Sequence, residues 1–312
     1  MFEIVFLGTS ASAPSVHRGL SAQMVLHGEH RFLVDAGEGT QRQILKSGLG
    51  FKRLDRILVT HGHLDHILGL GGLLSTLVRW EAISKVEIVG GVEALERIHD
   101  LIFGVVLRGK YPDVEIILRP IGAGPVYQED DFNVTAFPVY HRAPGCFGYV
   151  FEEKAKRPFL PERAAELDIP PGPWRRDLVL GQTVVLPDGR EIIPDQVLGP
   201  SRPGVKVVHV GDTGRTDNLI EVVRGADALV IEATYLEEEA EMAERFGHLT
   251  ARQAAELAVE AGVHNLILTH LSRRYRERDI KAEARAVFPS AEVARDFDHY
   301  HIKQRECVRV LE

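Results

Sequence analysis

The chain has 312 residues, 45% of them hydrophobic and 26% charged, which is ample for one large α/β domain or about two domains of ~150 residues without disulfide staples. A formal net charge of -8 speaks against a protein that coats nucleic acid non-specifically but leaves room for a local basic patch. Two cysteines, Cys146 and Cys307, are too few for a thiolate metal centre and fit a reducing compartment. No run approaches the ~20 apolar residues of a membrane span, and the N-terminal apolar run lacks the flanks of a signal peptide, so a cytoplasmic protein without a membrane partner is expected.

In chain order, "FEIVFL" (Phe2 to Leu7) reads as a strand, and "AQMVLH" and "RFLVD" as a hairpin turning at Gly28. "RILVT" (Arg56 to Thr60) is a strand that runs straight into a histidine cluster. Ile67 to Trp80 is apolar nearly all round and suggests a buried helix. "VEIVG", a helix over 92–103, and the strands "VEIILRP" and "FNVTAFPVYH" follow. The stretch 152–203 differs: it is proline-rich, shows no long apolar period, and reads as a surface excursion long enough to be functional. Alternation then resumes with the strand "VKVVHV", a helix "TDNLIEVVRG" closed by Gly225, the strand "ALVIEA", and a charged helix over 236–245. Next come a helix capped by Thr250 and stopped at Gly262, and the strand "NLILTH". Strand and helix alternate in both halves, so the class is α/β.

The segment "VTHGHLDHILGL" places His61, His63, Asp65 and His66 within six positions. Packed together without a cation, these groups would be crowded and poorly satisfied. Imidazole and carboxylate are ligands suited to zinc and similar cations. Alternation points His61 and His63 to one side, while Asp65 and His66 face a neighbouring position, so one loop can serve two metals. Further ligands must come from elsewhere. His141, Asp212 and His270 each follow an apolar strand, the place where sites collect in an α/β sheet. Taken singly, each is as compatible with a structural role. His209 lies inside its strand and reads as a packed core histidine.

"THGHLDH", "GDT" and "LTHLSRRY" resemble the metallo-β-lactamase superfamily. "FLGTSASAP", "DAGEGTQRQIL", "IEATY" and "HLTARQAAELA" extend the resemblance over nearly the whole chain to the ribonuclease Z family, endonucleases that trim the 3′ trailer of precursor tRNA. The segment "IPPGPWRRDLVLGQTVVLPDGREI" is similar to that family's exosite arm with its Gly-Pro element. The resemblance implies a four-layer αβ/βα sandwich, residues 1–312 as one domain with an inserted arm over 152–203, and a homodimer. It implies two Zn2+ per chain, with Mn2+ as the alternative. His61, His63 and His141 would hold one ion, Asp65, His66 and His270 the other, and Asp212 would bridge them. Asp35 would support a ligand from behind. Glu232 and His248 match the family's proton-delivery pair, so Asp65, His248 and Glu232 are the expected catalytic residues. Lys154, Lys156, Arg157, Gly172, Pro173, Arg175 and Arg176, with Arg163, are the arm residues expected to meet tRNA.

Three elements depart from the family pattern. The P-x-K-x-R-N element reads "PSVHRG", keeping Pro14 and Arg18 but placing Val16 and Gly19 where lysine and asparagine stand; Ile231 replaces a histidine; Leu64 replaces a glycine. None of these is a proposed ligand. Two rival readings remain at this level. One is a superfamily hydrolase of small phosphodiesters, sulfate esters or thioesters, which would have no use for a remote arm. The other is a non-enzymatic metal or nucleic-acid binding protein, which would have no use for a proton donor.

Overall fold

The computed structural model describes residues 1–80, 83–110, 112–142 and 144–310. They form two compact units, Met1–Glu152 with Val205–Glu312, and Glu153–Gly204.

The larger unit is built on two sheets. The first half of the chain supplies β1 (Phe2–Gly8), β2 (Ala22–His27), β3 (His30–Val34), β4 (Arg56–Leu58), β5 (Lys85–Gly90) and β6 (Glu115–Pro120). The second sheet takes β7 (Gly124–Gln128), β8 (Phe132–Pro138) and β9 (Phe147–Glu153). After β10 (Val184–Val185) and β11 (Glu191–Ile192) of the smaller unit, it continues with β12 (Lys206–His209), β13 (Ala228–Glu232), β14 (Leu266–Thr269) and β15 (Glu292–Val293). The last two strands, β16 (His299–Lys303) and β17 (Glu306–Val310), return to the first sheet. The sheet orders are β17-β16-β1-β2-β3-β4-β5-β6 and β15-β14-β13-β12-β9-β8-β7.

The central strands β12, β13 and β14 are covered on both faces, which is why they read as continuous apolar runs, whereas β8 and β16 alternate. Phe2, Ile4 and Phe6 of β1 meet Phe132, Tyr149 and Phe151 of the second sheet in a shared core, while Val5 and Leu7 face the other way. Helices α1 (Thr40–Lys46), α2 (Leu64–Ile67), α3 (Leu70–Trp80) and α4 (Val92–His99) lie on the first half of the chain, and residues of α1, α3 and α4 close that outer face. The second half carries α7 (Ile220–Val223), α8 (Ala240–Phe246), α9 (Ala251–Glu260) and α10 (Glu277–Arg285), and residues of α7, α9 and α10 form the third apolar cluster with β12, β13 and β14. The result is a four-layer αβ/βα sandwich. The Tyr149 hydroxyl donates to the Val59 carbonyl at 2.7 Å, and the Phe147 amide donates to the Thr60 carbonyl at 2.9 Å. These two bonds tie the second sheet to the segment that leads into His61.

Where the fold differs from expectation, the reason is local. α3 is not buried all round: Leu70, Leu73, Leu74 and Leu77 are fully buried, while Gly72 and Ser75 are exposed. Small and polar residues therefore make a solvent face that an apolar count overlooks. The helix expected over 236–245 begins as a 3₁₀ turn at Glu237–Glu239, and that over 216–225 shrinks to Ile220–Val223. Helix α4 continues into a π-helix, Asp100–Leu107. Strand β7, helix α10 and the C-terminal strands were not foreseen. "GPVYQ" opens with turn residues, and α10 buries only Ile280 and Ala284.

The smaller unit contains α5 (Pro161–Glu166), α6 (Pro173–Val179) and the β10–β11 hairpin. It has its own core, including Ala164, Ile169, Leu178, Ile192 and Val197. The segment is thus more than a surface excursion. Pro161 and Pro173 stand in the first turns of α5 and α6, where a missing N–H is harmless, so these two prolines start helices instead of breaking them. Among the described residues, no helix is long and apolar enough to cross a membrane.

Candidate active site

The ends of β4, β8, β12 and β14 deliver seven side chains to one place. In one group, the His63 Nδ1 lies 2.9 Å from the His61 Nε2 and 3.2 Å from the His141 Nε2. In the other, the His66 and His270 Nε2 atoms are 3.3 Å apart, and the Asp65 Oδ2 is 3.8 and 3.5 Å from them. A single oxygen, Asp212 Oδ2, faces both groups, 3.7 Å from the His61 Nε2 and 3.4 Å from those of His66 and His270. Two turns must be tight for this to happen. A Cβ on Gly37 would meet the Asp65 carbonyl at 2.3 Å, and one on Gly211 would meet the Thr60 Cβ at 2.8 Å.

Partners behind the rings fix their tautomers. The Gly247 carbonyl can only accept, so His141 carries its proton on Nδ1, 2.7 Å away. The Asp35 Oδ2 accepts from the His66 Nδ1 at 2.8 Å. The Thr60 hydroxyl donates to the Asp35 Oδ2 at 2.8 Å and so accepts from the His61 Nδ1 at 3.1 Å. The Thr234 hydroxyl, 2.5 Å from the Glu232 Oε2, likewise accepts from the His270 Nδ1 at 3.0 Å. Four imidazoles therefore turn an Nε2 lone pair inward. Lone pairs converging at such distances repel one another unless a cation lies between them. Tetrahedral donors around zinc, at ~2.0–2.1 Å from the ion, stand about 3.3 Å apart, close to these separations. The residues present fit two metal ions with imidazole and carboxylate ligands.

The electrostatics agree. Burial pushes His61 well below its ordinary pKa, aided by the charge of His66, and burial also lowers His63 and His141. Burial alone would raise Asp65, but the His270 hydrogen bond and the His66 charge hold it below the usual carboxylate range. Asp212 is likewise held well down against burial, by His270 and His66. His66 goes the other way: despite burial, Asp212 and Asp35 raise it well above its ordinary value. This position asks for positive charge. Asp35 (φ 60°) and His270 (φ 54°) hold left-handed backbones, uncommon for residues other than glycine and found where surroundings over-determine a functional geometry.

Beside the metal-binding residues, Glu232 ends β13, 1% exposed. It accepts from the Thr213 amide at 2.7 Å and lies 3.0 and 3.1 Å from the His248 Nδ1. Burial lowers His248, but the Glu232 charge and hydrogen bond outweigh it and raise the imidazole to about 9. With its Nδ1 turned to Glu232, His248 also lines a pocket shared with Asp65, Arg142, Tyr235, Phe246 and Arg273. Sequence reasoning missed Arg142, Arg273, Tyr235 and Phe246, as well as the tautomer-setting Thr60 and Thr234. Adjacency to the expected ligands was the available signal: Arg142 follows His141, and Tyr235 closes "IEATY".

The departures fall outside the seven converging side chains. Leu64 is 60% exposed, and Ile231 packs in the helix-side core. Val16 is 95% exposed, whereas Arg18 is bound to Glu277 at 2.8 Å and to the Thr9 hydroxyl at 2.5 Å. In the smaller unit, Lys154, Lys156, Arg163 and Arg176 are exposed, as are Gly172 and Pro173. Two of the expected tRNA contacts are instead engaged internally. Arg157 donates to the Gly199 carbonyl at 2.9 Å and pairs with Asp195 at 2.5 Å. Arg175 donates to the Ile169 carbonyl at 2.6 Å and lies over the Phe159 ring.

Comparison with known proteins places these features. A metallo-beta-lactamase superfamily model matches residues 19–157, and a beta-lactamase superfamily domain model matches 197–271. The chain is 46% identical over 299 residues to ribonuclease Z of Bradyrhizobium diazoefficiens, covering 96% of this chain and 99% of that one. It is 39% identical over 301 residues to ribonuclease Z of Archaeoglobus fulgidus, covering 95% and 96%. The structure of the short form of human tRNase Z superposes with a TM-score of 0.69 at 25% identity, covering 96% of this chain and 99% of that one.

Proposed function

The chain belongs to the ribonuclease Z family of tRNA-processing metallo-β-lactamase endoribonucleases, and from that premise we propose that it removes the 3′ trailer of precursor tRNA with two zinc ions held at the seven-residue centre. The observation that carries the mechanism is the pairing of inward-turned imidazole lone pairs with a positively charged His248 at the pocket wall.

When bound, two divalent cations polarise the scissile phosphate and lower the pKa of the attacking water. Each residue then has a task. Asp65, held by the Ser12 amide at 2.8 Å and kept ionised, orients that water and accepts its proton. As the new P–O bond forms, the P–O3′ bond breaks. The departing ribose 3′-oxygen is a poor leaving group, and His248, which lines the pocket, supplies its proton. Glu232 keeps that imidazole protonated and aimed. The tRNA ends in a 3′-hydroxyl and the trailer begins with a 5′-phosphate.

In this reading the Glu153–Gly204 unit is the arm that grips folded tRNA, through exposed Lys154, Lys156, Arg163 and Arg176 and the Gly172–Pro173 turn. The protein works as a cytoplasmic homodimer. Val92 and Val105, 60% and 69% exposed on α4 and the π-helix, support an apolar contact between copies, which sedimentation will detect. Mn2+ in place of Zn2+ suits the same imidazole and carboxylate donors.

The test is incubation with a 3′-extended precursor tRNA and mapping of both product ends, before and after chelation and zinc add-back. Trimming that needs the metal and leaves a 3′-hydroxyl supports the reading. Hydrolysis confined to small diesters points to the rival hydrolase instead.

A further inference from the structure

We propose that Glu3, His299 and His301 form an additional divalent-cation site on the outer face of the eight-stranded sheet, suited to zinc or another borderline cation such as nickel or copper. β1 and β16 pair antiparallel, with Glu3 opposite His301 and Val5 opposite His299. Side chains alternate along a strand, so His299 and His301 share one face. Tyr300 and Ile302, 2% and 0% exposed, take the other face and pack into the core between the sheets. A one-residue slip would bury both imidazoles and expose both core residues, so the register is fixed. The pairing that builds the sheet thus also brings the three donors together.

The geometry suits a metal. The Glu3 Oε2 lies 2.8 Å from the His299 Nε2 and 3.4 Å from the His301 Nε2. The three ligand atoms lie within 4.8 Å of one another, with imidazole centroids 4.7 Å apart. Tetrahedral ligands of zinc stand about 3.3 Å apart, so small rotations would seat an ion. Side-chain exposures of 26%, 30% and 34% for His299, Glu3 and His301 leave the site open to solvent, with one coordination position for water. The exposed His99, by contrast, meets the Asp100 carboxylate at 3.6 Å without a second imidazole. Among the described residues, Glu3, His299 and His301 make the one such cluster away from the active centre. An ion here would bridge the C-terminal strand pair to the first strand. Because it binds only the folded chain, it would raise the unfolding midpoint.

The count is a difference between proteins and is independent of how many ions the active centre holds. Wild type and His301→Gln, equilibrated with zinc and passed through a desalting column, are analysed for metal. Wild type should carry one more zinc per chain, lost equally in Glu3→Gln, while precursor tRNA cleavage is unchanged in both variants. Cobalt titration of wild type should show an extra equivalent with tetrahedral visible absorbance, absent from His301→Gln. Equal metal content in wild type and folded variants would overturn the site. If the variants fail to fold, wild-type crystals soaked in millimolar zinc decide. An anomalous peak between the three side chains supports the site, and no peak there refutes it.

Discussion

Removing the imidazole of His248 separates proton donation from every other task of the centre. Glu232 cannot leave: the Thr213 amide and Thr234 hydroxyl hold its two oxygens at 2.7 and 2.5 Å, and β13 anchors its backbone. The carboxylate therefore stays, buried, whether or not His248 is there. In wild type it raises His248 to about 9, so the ring is an imidazolium at neutral pH, ready to give up a proton. A positioned general acid contributes about 10²–10⁴ in rate. At ~1.4 kcal/mol per decade this is roughly 3–5 kcal/mol of barrier. His248→Ala should lose that much on precursor tRNA, whose departing 3′-oxygen needs the proton. On a nitrophenyl diester the leaving phenolate needs none, and the loss should be within about threefold.

The assay is single-turnover cleavage of both substrates, with zinc content measured in parallel. The parallel measurement matters because the neighbouring Gly247 carbonyl fixes the His141 tautomer at 2.7 Å. A backbone shift at position 248 could loosen that ligand. Glu232→Gln should show the same selectivity in milder form, since the ring remains but is less firmly protonated. Equal losses on both substrates at full zinc content would refute the donor role. A loss of zinc would make His248 a support for the metal centre.

The remaining predictions concern a metal-site histidine, the Glu153–Gly204 unit as a whole, two of its arginines, and a carboxylate far from the centre. His63→Ala removes the nitrogen that sits 2.9 and 3.2 Å from two others, so metal content, activity on both substrates and thermal midpoint should fall together; activity in a metal-free wild type would refute the assignment. Replacing Glu153–Gly204 with a short linker is feasible because a Cβ on Gly204 would meet the Glu153 carbonyl at 2.2 Å, and it should abolish precursor tRNA cleavage while sparing the nitrophenyl diester. Within the arm, Arg176→Gln should reduce the salt slope of tRNA binding, whereas Arg175→Gln should chiefly destabilise the arm, as protease susceptibility will report. Burial works to raise Glu87, but hydrogen bonds from Arg119 and Tyr127 lower it on balance. A carboxylate depressed in this way stabilises the fold above its unfolded pKa of about 4.3 and loses that contribution as pH falls through the folded value. Glu87→Gln should thus cost on the order of 1 kcal/mol at pH 7, with the gap to wild type closing below about pH 4 in denaturant titrations.

How far the sequence discloses the molecule depends on whether each feature is written in a short segment or assembled from distant ones. His61, His63, Asp65 and His66 occupy one loop, so their convergence could be read directly. Their partners His141, Asp212 and His270 were legible because each closely follows a largely apolar strand. The atoms that make these residues ligands were not legible. Thr60, Thr234 and the Gly247 carbonyl fix which nitrogen bears a proton, and nothing in composition or spacing marks a threonine for that task. The same limit explains the arm. Its basic residues are visible as letters, but only packing separates Arg176, which faces solvent, from Arg157 and Arg175, whose guanidinium donors serve backbone carbonyls. It explains the C-terminal strands too, since β16 joins the sheet beside β1 with Glu3 hydrogen-bonded to His299, 296 positions away in the chain. The reactive groups sit in local motifs, while the partners that set their protonation, and the pairings that bring surface donors together, exist only once the chain has closed.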